Sequence, residues 1–181
     1  HRGHYRHTAV REKLYGAHAA MHHRSVIQIR LPLVAAIGSV HCERREIEDD
    51  HWLRYPAEIR LNDDLPAECL DGIDGYSHVE IAYVFHKLLG SSPVTGAEHP
   101  RGNMAFPKVG IYAQRKKLRP NFIGCTIVTL LRREGRSIFV ERLDAIDGAQ
   151  VLDIKPVQRE FLPVGDVRQP GWADEIMRNY W

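Results

Sequence analysis

Apolar residues recur along this chain in short runs and almost nowhere at helical spacing. Seven such runs, at residues 34–40, 57–61, 79–85, 109–113, 125–131, 137–143 and 151–154, predict β-strands. Turn chemistry separates them: Asp63-Asp64-Leu65-Pro66, Gly90-Ser91-Ser92-Pro93, Arg119-Pro120-Asn121, Glu134-Gly135-Arg136 and Asp147-Gly148. Glu134-Gly135 lies between two apolar runs and predicts a β-hairpin. Helix is predicted only over residues 66–70 and 172–180. In the second, Trp172, Ile176 and Tyr180 form one apolar stripe, expected to pack on the body of the protein. Strands do not alternate with long helices, and no Gly-x-Gly-x-x-Gly follows a first strand, which argues against a Rossmann arrangement. The expected fold is mainly β: a single small closed antiparallel barrel with few short helices and a C-terminal helix.

The run ending at His86 can be divided by face. A period of two puts Val79, Ile81, Tyr83 and Phe85 toward a core and Tyr76, His78, Glu80, Ala82, Val84 and His86 on the opposite side. At roughly 3.3 Å per residue, His78 and His86 stand about 26 Å apart, too far to share a metal or a catalytic dyad within this strand. His86 and the following Lys87 end the strand, where loops and ligands meet.

Length and composition add boundaries. The chain of 181 residues can bury one good core, and 44% apolar with 27% charged residues reads as soluble and globular. Residues 1–30 hold six of the eleven histidines and are expected to form a poorly ordered arm. Residues 31–181 form the expected barrel domain. His1, His4 and His7 have metal-chelating spacing but no Cys or carboxylate partner nearby, so no native metal site is expected. Cys42, Cys69 and Cys125 are isolated thiols in odd number, which favours a reducing, cytoplasmic setting. The longest apolar run, residues 31–40, contains Pro32 and is about half the roughly 20 residues a membrane span needs. No signal-like apolar segment opens the sequence, so neither a membrane nor secretion is expected.

The net charge is only +2, but its distribution is uneven. Residues 99–133 carry eight Lys or Arg and no Asp or Glu, while residues 141–175 carry eight acidic side chains. Arg115, Lys116, Lys117, Arg119 and Asn121 crowd one loop between two apolar runs, an arrangement suited to gripping a carboxylate or a nucleotide.

Several of these elements occur in a familiar order. They are Ala36-Ile37-Gly38-Ser39-Val40, then Leu70-Asp71-Gly72-Ile73-Asp74-Gly75-Tyr76-Ser77-His78, then Phe85-His86. His99-Pro100-Arg101-Gly102, Val109-Gly110-Ile111-Tyr112-Ala113 and Arg119-Pro120-Asn121-Phe122-Ile123-Gly124 come next. The set ends with Asp144-Ala145-Ile146-Asp147-Gly148 and Val151-Leu152-Asp153-Ile154-Lys155-Pro156. Over roughly residues 34–175 the chain resembles the TsaA-like, or TrmO, family. The resemblance implies a small β-barrel methyltransferase that uses S-adenosyl-L-methionine without a Rossmann domain. It further implies N6-methylation of N6-threonylcarbamoyladenosine beside the tRNA anticodon, and a homodimer. By position it places the methyl donor against His86 and Lys87, bordered by Arg115 and Cys125 and closed by Asp144, Ala145, Ile146 and Asp147.

The chain departs from the family pattern in places. The family's Pro-Arg-Gln element after the first strand is missing, and Asp50, His51 and Trp52 are the candidates to replace it. Arg115-Lys116-Lys117 stands where Arg-Ser-Pro is usual, Phe122 where a Pro follows the Asn, and Ala149 where a Thr follows Asp-Gly. The further C-terminal domain of longer members is not expected in this chain. Arg101, Lys116, Lys117, Arg119 and Asn121 are the candidate RNA-docking groups, giving salt-sensitive binding. His78, His99 and Asp153 are the candidates for accepting the acceptor's proton. Two alternatives stay open: methylation of a small metabolite, or a non-catalytic RNA-binding module that senses S-adenosylmethionine. The first is favoured if acidic residues such as Glu46, Glu48, Asp49 and Asp50 break the basic face, and the second if stacking aromatics interleave with it.

Overall fold

The computed structural model describes residues 34–181, so the arm expected at residues 1–30 and the set His1, His4 and His7 lie outside the described residues. Six antiparallel strands close a barrel in the order β1-β2-β7-β6-β3-β8. They are β1 (Gly38–His41), β2 (Ala57–Leu61), β3 (His78–Val84), β6 (Ile123–Glu134), β7 (Ser137–Glu141) and β8 (Gln150–Pro156). Two short strands, β4 (Ala97–Glu98) and β5 (Val109–Gly110), pair as a separate ribbon. The one α-helix among the described residues, α1 (Gly171–Ile176), precedes a turn that carries the chain to Tyr180.

Alternation dictates which side chains fill the interior. Val79, Ile81 and Tyr83 of β3 are buried, joined by Val40, Ile59, Val128, Ile138, Val140 and Val151. Most of these are β-branched, a shape that packs well on a pleated surface. Phe85 continues the face and packs on the core, partly buried. The hairpin expected at Glu134-Gly135 joins β6 to β7: Glu134 pairs with Ser137, and Gly135 takes φ 58° at the turn.

Three expectations need correcting. Residues 109–113 are not one strand, because only the two residues of β4 are there to pair with. Ile111–Ala113 winds into a 3-10 turn that buries Ile111 and leaves Tyr112 79% exposed. The helix expected at 66–70 is a 3-10 turn, Ala67–Leu70. The helix expected to reach residue 180 stops at Ile176.

One irregularity prepares the site. On its β8 side, β3 changes register between Ala82 and Tyr83. The extra residue, Leu152, belongs to β8, so the local bend falls on β8 beside the site, while β3 keeps its alternation through Tyr83 to Phe85.

Candidate active site

The barrel end where β3 finishes gathers loops from distant parts of the sequence around Asp144. Asp144 Oδ1 accepts hydrogen bonds from the hydroxyls of Tyr83, at 2.8 Å, and Thr126. Oδ2 accepts from the hydroxyl of Tyr180. Tyr83 sits there only because residue 124 is glycine: a Cβ on Gly124 would lie 2.4 Å from the tyrosine ring. Burial, then the charge of Asp144, push the phenols of both Tyr83 and Tyr180 well above their ordinary range, so both stay hydrogen-bond donors.

Two cavities meet at this wall. The first is a half-open cleft lined by Trp52, Phe85, His86, Lys87, Lys117 and the 144–146 segment, among others. The second, about 990 Å³ and open to solvent, is lined by Tyr112, Arg115, Arg119, Asn121 and Cys125 together with Tyr83 and Asp144. Within the first, His86 packs over Gly148, where a Cβ would come to 3.4 Å of Nε2. Its buried Nδ1 has no hydrogen-bond partner among the described residues. Burial, reinforced by the neighbouring Lys87 and opposed by Asp147, lowers the His86 pKa, so the ring is neutral at pH 7.

Arg44 anchors the loop after β1. Its guanidinium stacks on Trp52 with 3.6 Å to the ring centroid and donates from Nη1 to the Asp50 carbonyl at 2.7 Å. Among the described residues Nε and Nη2 have no hydrogen-bond partner, and the 3.7 Å from Nη2 to Glu48 is too long for one. An arginine held this way fixes Trp52 in the cavity wall by packing as much as by charge. The Trp52 indole completes the loop by donating to the Asp49 carbonyl at 3.1 Å.

The basic face is largely paired. Arg101 forks onto Asp50 at 2.7 and 3.1 Å, Lys117 reaches Asp49, and Lys116 reaches Glu98. Burial works against the charge of Asp49, but Lys117, Arg101 and Arg44 outweigh it and hold its carboxyl below the usual range. In contrast, Arg115 and Arg119 bond to main-chain carbonyls, those of Cys125 and Gln114. Burial and Glu80, which accepts from the Cys125 thiol at 3.0 Å, push that thiol up to about 11.

The expected donor residues are therefore distributed unevenly. His86, Lys87, Asp144, Ala145, Ile146 and Trp52 line the first cavity, while Arg115, Cys125 and Asp144 line the second. Asp147 turns its carboxylate to the Cys42 N–H at 3.2 Å, and Asp50 is taken up by Arg101. His51 contributes backbone, in the left-handed region at φ 64°. Of the docking candidates, Arg119 and Asn121 line the second cavity and Lys117 the first, while Arg101 and Lys116 line neither.

The three proton-accepting candidates lie elsewhere. His78 is exposed at the far end of β3 beside Ser77, and His99 holds the Phe106 carbonyl at 2.7 Å. Asp153 pairs with Lys155. Phe122 adopts φ 53°, which a proline ring, fixed near −65°, could not. The loop thus takes a course closed to a chain with proline there.

Sequence reasoning missed Arg44, Tyr83 as an Asp144 partner, Thr126 and Tyr180. Only the core face of β3 hinted at Tyr83, and nothing local marked the others.

The chain is similar to known proteins over its central part. Residues 38–161 match the family model of the tRNA-methyltransferase O N-terminal domain. The tRNA (adenine(37)-N6)-methyltransferase of Homo sapiens is 39% identical over 114 residues, which cover 63% of this chain and 25% of that protein. A "Probable S-adenosyl-L-methionine-binding protein" of Archaeoglobus fulgidus is 46% identical over 66 residues, 36% of this chain and 18% of that one. The crystal structure of TrmO from Pseudomonas aeruginosa superposes with a TM-score of 0.63 at 27% identity, covering 80% of this chain and 63% of that one. The chain therefore spans about a quarter of the human relative and under two thirds of the solved one.

Proposed function

Because the chain belongs to the tRNA-methyltransferase O N-terminal domain family, we propose that it is an S-adenosylmethionine-dependent methyltransferase acting on an adenosine of tRNA. The observation that carries this reading is the pair of cavities meeting at Asp144. The residues fit the cofactor: the first cavity offers apolar walls and an unpartnered His86 Nδ1, the second an Arg115 guanidinium without a carboxylate partner. S-adenosylmethionine, when bound, supplies an electrophilic methyl on a sulfonium sulfur.

The chain's own contribution is positioning. Trp52, Phe85 and Ile146 would exclude water, His86 would help hold the nucleoside part, and Arg115 would take the carboxylate. The acceptor enters through the second cavity past Tyr112, Arg119 and Asn121. Asp144 is the carboxylate common to both cavities, and a lone pair left on Oδ2 can take a hydrogen bond from the acceptor N–H. For N6-threonylcarbamoyladenosine beside the anticodon, Arg119 would hold the threonyl carboxylate. A cytoplasmic location would be consistent with such an acceptor. Ile123, Ile127 and Leu131, exposed along one line of β6, support a second copy of the chain as partner.

A second reading, methylation of a small metabolite, is favoured by one observation: Asp49, Asp50 and Glu98 already pair Arg101, Lys116 and Lys117. Exposed pairs of this kind are worth only about 0–1 kcal/mol, so phosphates can still compete for those cations. The test is transfer from labelled donor to tRNA of a strain lacking this protein, over a salt series. Labelled tRNA with salt-sensitive KM supports the first reading. Donor uptake without labelled tRNA moves the acceptor to small molecules, and absence of uptake rejects both.

A further inference from the structure

The last residues of the sequence lie outside the stretch that matches the family, 38–161, yet they reach the centre of the site. The backbone N–H of His51 donates to the Asn179 carbonyl and that of Trp52 to the Tyr180 carbonyl, each at 2.9 Å. From the same segment the Tyr180 hydroxyl donates to Asp144 Oδ2. Trp181 packs edge-on against Tyr180 with ring centroids 4.9 Å apart, and the Arg142 guanidinium lies over the Trp181 ring, 4.7 Å from its centroid. Arg142 itself adopts a left-handed backbone, φ 67°, two residues before Asp144. Such a conformation is costly for a non-glycine residue and persists only where its surroundings hold it.

Two walls of the first cavity, Trp52 and the 144–146 segment, come from loops more than ninety positions apart in the sequence. Residues 179–181 touch both. We infer that residues 179–181 form a clasp that assembles the donor cavity, with Tyr180 a positioning residue for the Asp144 carboxylate and the 51–52 backbone. The inference rests on reading that cavity as the donor site. The main-chain carbonyls of Asn179 and Tyr180 hold the loop, the Tyr180 ring anchors that segment against Trp181, and its hydroxyl joins those of Tyr83 and Thr126 in fixing the Asp144 carboxylate. Removing the hydroxyl should therefore weaken affinity with the loop still ordered, whereas removing the ring should loosen the loop as well.

The test titrates S-adenosylhomocysteine into the full chain, Tyr180→Phe and Tyr180→Ala, with Val164→Ser at a fully exposed position as control. Amide hydrogen exchange is followed on the same samples. Tyr180→Phe should melt with the native chain but bind the probe about tenfold more weakly, the scale of one hydrogen bond to a charged group. Tyr180→Ala should speed exchange at the His51 and Trp52 amides and leave the β3 and β6 amides protected. A Tyr180→Phe chain that binds as tightly as the native one overturns the role of the hydroxyl, and unchanged exchange at 51–52 in Tyr180→Ala overturns the clasp. A native chain that takes up no probe rejects the donor reading itself, a result neither variant can produce.

Discussion

The two cavities share a wall and differ in what their linings can do. The first is walled by Trp52, Phe85, Ala145 and Ile146, and Lys117 at its edge is tied to Asp49. The second opens beneath Tyr112 onto two guanidiniums whose hydrogen bonds run to main-chain carbonyls. Both are half open, but the first presents an apolar surface that suits an uncharged ring, while the cationic second suits a larger anionic molecule that arrives and leaves. Between them stands Asp144, held by hydroxyls from β3, β6 and the chain's last residues. Under the proposed methyl transfer, this difference fits donor chemistry chiefly on one side and acceptor chemistry on the other.

Substitutions can break that division. Trp52→Ala should have the largest effect. It removes a buried indole and strands the Arg44 guanidinium stacked on it, costing about 3–5 kcal/mol in urea unfolding and abolishing donor uptake. Gly124→Ala strikes the shared wall. Its Cβ must displace the Tyr83 ring, at about 1–3 kcal/mol of overpacking, and both donor affinity and turnover should fall together.

Arg119→Ala sharpens the comparison instead. Acceptor KM should rise roughly tenfold, while calorimetry finds donor affinity unchanged. An equal loss of donor affinity would mean the cavities are one site.

The smallest effect is a pH dependence. The folded chain holds His86 below the ordinary histidine value of about 6.5, so the unfolded chain takes up the proton first as pH falls. The contribution of the neutral ring is full above about pH 6.5 and declines below it toward the folded value. Urea midpoints at pH 7.5 and 5.5 should differ more for the native chain than for His86→Asn.

Particular elements show how far the sequence could be read. The faces of β3 were legible because alternation is a local property: Val79, Ile81 and Tyr83 point inward whichever strands flank them. The β6–β7 hairpin was legible from Glu134-Gly135 for the same reason. The 109–113 run misled because strand propensity says nothing of whether a partner exists. With only Ala97–Glu98 to pair with, Tyr112 turned to solvent and became a rim residue. The ordered motifs pointed to the segments at 86, 115 and 144–147. They did not show that Asp50 would be spent on Arg101 or that Asp147 would face the Cys42 amide.

By itself, then, the sequence determined a small antiparallel barrel and the family to which its central motifs belong, because burial of alternate residues and turn chemistry act over a few positions. Only the tertiary structure decided the site. Asp144 is reached by Tyr83 across 61 positions, by Tyr180 across 36 and by Thr126 across 18. Contacts over such separations depend on barrel closure, strand register and the return of the chain's last residues, none of which a local pattern encodes.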